Sequence, residues 1–184
     1  MATATKPLTA AEFAALPDEP DSVMELVRGE IVRMPKPKPR HGRIANRIAF
    51  LLTAHVTAHG AGEVYAAETG FLIARDPDTV RGADAAYLSN GRLALVTDPD
   101  DYYPVAPDLV AEVTSPDDRP GAVADKIAEW LSAGVRMLWQ VYPAARTVVV
   151  HRPGAEPVTL GVGDRLDGGD VLPGFRCPVA DLFA

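Results

Sequence analysis

The sequence predicts one α/β domain, and three observations lead there. Amphipathic helical spacing occurs twice, in Ile44, Ile48, Leu51, Leu52 and Val56 and again in Val123, Ile127, Trp130 and Leu131. Short apolar runs with strand character, residues 80–88, 109–113 and 137–141, lie among them, bounded by Gly, Pro and Asp turns. The length, 184 residues with 47% hydrophobic and 23% charged, suffices for one well-packed core and is short for two, so 1–184 reads as a single domain.

Taken in order, Thr9-Ala-Ala-Glu12 has the spacing of a capping box, which starts a short helix that Pro17 stops. Residues 24–27 and 30–34 read as a hairpin around Arg28-Gly29. Glu25, in its first arm, is either a carboxylate leaning into a cleft or an exposed strand residue. Pro35, Pro37 and Pro39 alternate with Lys36, Lys38 and Arg40 in an extended basic arm, because proline fixes φ and offers no amide hydrogen. A helix follows from near His41 to His59. His41, Arg43 and Arg47 fall in its first turns, where the amides and helix dipole favour an anion. Lys38, Arg40, Arg43 and Arg47 are therefore candidate phosphate contacts, the alternative being a solvated basic face. His55 and His59 are four apart, but valine follows His55, so the base of an H-E-x-x-H zinc site is missing.

Residues 63–67 and 71–74 read as two strands joined around Thr69-Gly70, and 80–88 as a third that carries Asp84 among alanines. An acidic loop spans 90–106. The strand 109–113 contains Glu112, on the pleat face of Asp108 and Val110. A carboxylate there costs several kcal/mol unless a cation or full set of donors meets it. Ser115-Pro116 ends the strand, and Asp117 to Gly121 form a loop before the second amphipathic helix. Lys126 lies about 85° from the centre of that helix's apolar stripe, so it can bury its stem and bring its ammonium to the strand end. Gly134 stops the helix; residues 137–141 and 147–151 read as a hairpin with His151 as an exposed strand residue. Residues 158–160, 171–175 and 179–183 read as small strands and a docked tail.

The net charge of −7 argues against an unspecialised nucleic-acid coat protein, yet residues 31–62 hold no Asp or Glu while acids crowd the later half. The single Cys177 excludes an intramolecular disulfide and a cysteine-rich zinc site. No apolar run approaches the roughly 20 residues of a membrane span, and Met1 to Pro7 lack a signal-peptide core. A soluble protein of the cytoplasm is the expectation. A serine or cysteine hydrolase is disfavoured, since no G-x-S-x-G occurs and Cys177 lies in the tail.

Asp84, Glu112 and Lys126 together supply what phosphodiester hydrolysis needs. Two carboxylates hold a hard divalent ion, and a lysine orients or deprotonates the attacking water and offsets charge. The segments M-E-L-V-R-G-E-I-V-R-M-P, P-R-H-G-R-I-A-N-R-I, R-G-A-D-A-A-Y-L, A-P-D-L-V-A-E-V-T-S-P, D-K-I-A-E-W-L-S-A-G-V and L-P-G-F, in that order, resemble the Uma-type "putative restriction endonuclease" family of the PD-(D/E)XK nuclease superfamily. The resemblance runs from about Leu8 to Phe183. It implies a restriction-endonuclease-like mixed sheet flanked by helices, with extra hairpins at the termini, and a Mg²⁺ (or Mn²⁺) dependent nuclease site. Carried over, Asp84, Glu112 and the Val113 carbonyl become metal ligands, Lys126 the catalytic lysine, and Glu25 and His41 auxiliary residues at the cleft mouth. The chain departs from the superfamily pattern at Thr114, where the lysine usually stands, at Ala83, where proline usually precedes the first acid, and at Gln140, where an acidic turn is common. The expected function is a metal-dependent endonuclease acting on DNA as a homodimer. The alternative is a non-catalytic protein of the same fold that binds nucleic acid or protein.

Overall fold

The computed structural model of the protein describes residues 6–184. The opening residues 1–5, most of the segment read above as lacking a signal-peptide core, lie outside the described residues. Its centre is a mixed eight-stranded sheet in the order β2-β1-β4-β5-β6-β7-β8, with β3 also paired to β4. The hairpin of β1 (Ser22–Val27) and β2 (Glu30–Pro35) turns through Arg28 and Gly29, both at positive φ. The pair β5 (Leu109–Val113) and β6 (Met137–Tyr142) is parallel, the other pairs antiparallel. The helix α4 (Pro120–Ser132) makes the crossover a parallel pair requires.

Helix α1 (Ala10–Ala14) starts at the capping box, with the Thr9 hydroxyl accepting from the Glu12 amide and the Glu12 carboxylate accepting from the Thr9 amide. Helix α2 (Pro39–His59) begins two residues before the expected start, because Pro39 occupies its first turn, where a missing N–H costs nothing. It ends at Gly60, φ 59°, in the left-handed conformation that glycine tolerates. Ile44, Ile48, Leu52 and Val56 of α2 pack on Ala85 and Tyr87 of β4 (Thr79–Ser89) and on Leu109, Ala111 and Val113. The opposite sheet face, Ala86, Leu88, Val110 and Leu138, packs on Trp130 of α4. Each such buried side chain contributes about 1.5–3 kcal/mol. Covered on both faces, β4 and β5 are buried along nearly their whole length. Thr147–His151 (β7) and Val158–Leu160 (β8) complete the sheet. Arg165–Asp167 (β9) and Arg176–Pro178 (β10) form a small terminal sheet. Among the described residues no helix is long and apolar enough to cross a membrane.

Two expectations are corrected. Thr69-Gly70 is not a turn between strands: β3 runs unbroken from Gly62 to Ala74 and absorbs the irregularity as a register shift between Ala66 and Thr69. Residues 171–175 form turns where a small strand was expected, since Val171, Leu172 and Phe175 anchor into the α2-side core and not into a ladder, and Val179–Phe183, a 3-10 helix, is the expected docked tail.

Candidate active site

The site forms where β4 and β5 part. Their register pairs Ala85 with Ala111; one residue further, Asp84 and Glu112 would oppose each other, and there the ladder between these strands stops. At that fork the Asp84 Oδ2 accepts from the Val113 amide at 2.7 Å, replacing a ladder hydrogen bond with a side-chain one. Small neighbours, Ala83 and Ala85, leave room for the carboxylate in a buried central strand.

Glu112 is met as the sequence demands. Its Oε2 accepts from Lys126 Nζ at 3.0 Å and its Oε1 from Trp130 Nε1 at 2.8 Å, so α4 supplies both partners from successive turns. Lys126 also reaches Glu25 Oε1 at 3.1 Å and the Gly82 carbonyl at 2.9 Å. Its side chain is 20% exposed, a border position with buried stem and inward head. Glu25 further accepts from the Gly82 amide at 2.9 Å and from Arg81 at 2.5 Å. Arg81 in turn donates to Glu129 of α4. His41, in the first turn of α2, sets Nε2 at 3.3 Å from Asp84 Oδ2, while its buried Nδ1 has no partner. Asp84, Glu112, Lys126, Glu25 and His41 thus gather at one place.

The electrostatics follow from crowding. Burial pushes the Glu112 carboxyl up to about 7, aided by Asp84 and Glu25 and opposed by Lys126. Lys126 is raised: burial works against its charge, but Glu112 and Glu25 outweigh it, so the ammonium persists at neutral pH. Burial would raise Glu25 too, yet the charges of Lys126 and Arg81 hold it below the ordinary range. Burial would lower His41, but the Asp84 hydrogen bond and charge, with the Val113 backbone, raise it.

Three residues escape sequence reasoning, Glu68 first. The β3 irregularity turns Glu68 over Gly82, where a Cβ would stand 3.4 Å from Glu68 Oε2 and 3.7 Å from Glu25 Oε1. Glu68 is exposed as a whole, yet its carboxyl end is sheltered; desolvation there, with the charge of Asp84, raises it. Arg81 and Glu129 escape it too, because a strand arginine and a helix glutamate carry no sequence signal of pairing.

The basic residues at the start of α2 have protein partners. Arg43 and Arg47 donate to the carbonyls of Ala184 and Asp181, Arg40 to that of Pro143, and Lys38 pairs with Asp117 at 2.7 Å. The cations at the start of α2 therefore hold the C-terminal segment, the turn after β6 and the loop after β5, with Lys38, Arg40 and Arg43 still exposed. His55 and His59 stack on each other, and Ser115 closes a strand-end turn with Asp118. Thr114 and Gln140, two of the departures from the superfamily pattern, are hydrogen bonded to each other.

The donor set suits a hard divalent ion. Glu25, Glu68, Asp84, Glu112 and Glu129 place five carboxylates around two permanent cations, Arg81 and Lys126, an excess of negative charge that such an ion would neutralise. Asp84 Oδ1 accepts no hydrogen bond, since both donors take Oδ2. Among the described residues no three His, Cys, Asp or Glu side chains cluster as a chelate.

Comparison with known proteins gives the family and the fold. Residues 10–180 match a family model, Uma2, described as "Putative restriction endonuclease". A solved structure, described as a "putative nuclease belonging to DUF820" from Anabaena variabilis, shares the fold with a TM-score of 0.81. That likeness covers 96% of this chain and 98% of the other at 22% sequence identity. No curated protein matches the chain.

Proposed function

The chain belongs to the Uma2 family, and we propose that it is a metal-dependent endonuclease hydrolysing phosphodiester bonds in DNA. The observation that carries this reading is the meeting of Lys126 Nζ with Glu112 at 3.0 Å and Glu25 at 3.1 Å beside Asp84, at the fork of two central strands. A Mg²⁺ or Mn²⁺ ion held by Asp84, Glu112 and the Val113 carbonyl would polarise the scissile phosphate and offset its charge. The protein's own groups do the rest. Lys126, whose three N–H groups are held by Glu112, Glu25 and the Gly82 carbonyl, gives up one of these acceptors to donate to the attacking water and counters charge developing on the phosphate oxygens. Trp130 fixes the rotamer of Glu112, and Arg81 holds Glu25 so that Glu25 can aim the lysine. His41 and the Val113 amide hold Asp84 by Oδ2 and leave Oδ1 open. The exposed Lys38, Arg40 and Arg43 flank α2 where a duplex backbone would pass, exchanging protein partners for phosphates. Two copies related by two-fold symmetry would cut both strands, so the working unit is a homodimer, acting on DNA in the cytoplasm.

The test is plasmid nicking in Mg²⁺ or Mn²⁺. Wild type nicks, and Glu112→Ala and Lys126→Ala each abolish it; activity surviving both substitutions ends the proposal. A second reading, a non-catalytic binding protein of this fold, is favoured by one observation: both Glu112 oxygens are already engaged, by Lys126 and Trp130. Calorimetric titration with Mg²⁺ separates the two, since no heat at millimolar metal selects the binding protein.

A further inference from the structure

Beside the carboxylate cleft lies a second concavity. A small cavity of about 60 Å³ borders the cleft on its Glu25 side, lined by Glu25, Glu68 and Gly82 over the apolar Phe13, Met24 and Val80 and bounded by Gly70 and Tyr102. Those last two residues also form a wall of a larger basin of about 440 Å³, lined further by Tyr65, Tyr103, Asp100 and Asp101. That volume falls in the range of roughly 300–1,000 Å³ found for small-molecule sites. The same β3 irregularity that turns Glu68 over the cleft leads directly into this basin through Thr69 and Gly70.

We propose that the basin takes an unstacked nucleobase from the strand whose phosphate lies in the carboxylate cleft. The proposal rests on the nuclease reading and adds its substrate class: single-stranded or locally opened DNA.

Three features support it. The tyrosines give an aromatic surface: Tyr65 and Tyr103 meet edge to face at 5.4 Å with hydroxyls 3.4 Å apart, and Tyr102 closes over Gly70, where a Cβ would stand 2.7 Å from its ring. Every base offers a π-face to such a surface. Asp100 and Asp101 are exposed and pair with no cation among the described residues; the only donor to either is the Tyr102 amide, to Asp101 Oδ1. Carboxylates there repel a phosphate backbone but accept from exocyclic amino groups, which cytosine, adenine and guanine carry and thymine lacks. Finally, the shared wall with the cleft means an occupant reaching both is a planar, amino-bearing ring tethered to a phosphate, which describes a nucleotide. A base stacked in a duplex cannot enter without leaving its stack.

The experiment uses the full chain with Ca²⁺ in place of Mg²⁺, a hard divalent ion that offsets the cleft's carboxylates, and a short oligo-dC carrying one 2-aminopurine. Stacking on the tyrosines quenches the 2-aminopurine. Tyr102→Leu and Tyr103→Leu each weaken binding about tenfold with unchanged melting temperature, the size expected for one base–aromatic stack. Should either tyrosine variant melt early through lost packing, Tyr102 on Phe13 or Tyr103 on Phe71 and Tyr65, the paired Asp100→Ala and Asp101→Ala variant carries the test. Asp100→Ala with Asp101→Ala abolishes a preference for oligo-dC over oligo-dT. Absence of quenching, or affinity unchanged by both tyrosine variants, overturns the proposal. So does tighter binding of an arginine-rich peptide, which an acidic aromatic basin would also accept. Plasmid nicking reports separately: if wild type nicks while the tyrosine variants bind normally, only the basin fails. If quenching occurs without any nicking, the nuclease reading fails.

Discussion

Glu112→Gln should make the protein more stable at alkaline pH while removing its proposed activity. Glutamine keeps an oxygen for the Trp130 N–H at 2.8 Å and nearly the same volume, so packing around the fork is preserved. What it removes is a carboxyl whose pKa is about 7 in the folded protein against 4.5 for the ordinary group. The folded state therefore holds this proton more tightly than the unfolded chain does. Its contribution to stability is fully present below about pH 4.5 and is lost as pH rises through about 7. At about 1.4 kcal/mol per pH unit, the loss amounts to roughly 3 kcal/mol above pH 8. The non-titrating variant escapes that loss, and its Lys126 keeps Glu25 at 3.1 Å and the Gly82 carbonyl at 2.9 Å, with about 1 kcal/mol subtracted because the glutamine Nε2, a donor, faces the ammonium. Urea unfolding in EDTA, to keep metal out, should show the two proteins alike near pH 4.5 and the variant ahead by about 1–3 kcal/mol near pH 8, with unchanged m. A variant less stable than wild type at pH 8, or a difference flat across the range, would refute the reasoning. A carboxylate held at such cost in a central strand is what a site selected for activity over stability leaves behind.

Arg81→Met should be the most damaging of the site substitutions, because Glu25, 2% exposed, and Glu129 lose a shared buried cation; a loss of about 3–5 kcal/mol in urea unfolding is expected, and less than 1 kcal/mol would contradict the pairing. Trp130→Phe keeps the aromatic packing but leaves Glu112 Oε1 without its donor, costing about 1–3 kcal/mol and lowering nicking activity; a variant indistinguishable in both assays would show that Trp130 only fills space. Gly29→Ala puts a Cβ 2.3 Å from that of Pro7 at a φ of 77°, so a drop of roughly 1–3 kcal/mol should appear as a lower thermal midpoint.

Much of this architecture announces itself in the sequence wherever a residue contradicts its surroundings. Glu112 in an apolar run and Asp84 among alanines are costly unless something meets them, so the strands that carry them mark the site by their cost alone. Lys126 follows from helical phase. The capping box at Thr9 and the Arg28-Gly29 turn are local, decided by neighbours within a few residues, and local patterns are what a sequence displays. Glu68 is hidden for the converse reason. Its direction depends on a register shift in the pairing of β3 with β4, and side chains alternate with period two, so even a small slip decides which way a residue faces. No composition signal encodes that slip; Thr69-Gly70 reads equally well as a turn. Arg43 and Arg47 show the same limit at longer range. Their clustering at a helix start suggests phosphate, yet their guanidinium groups meet carbonyls more than 130 residues away, contacts that only the closed fold creates. Both cases bear on the site: the slip sets a further carboxylate at the cleft, and an anion reaching Arg43 or Arg47 has to displace the carbonyls they hold. The site is therefore legible as a set of charges in the wrong places, while its approach surfaces are set by register and by long-range docking.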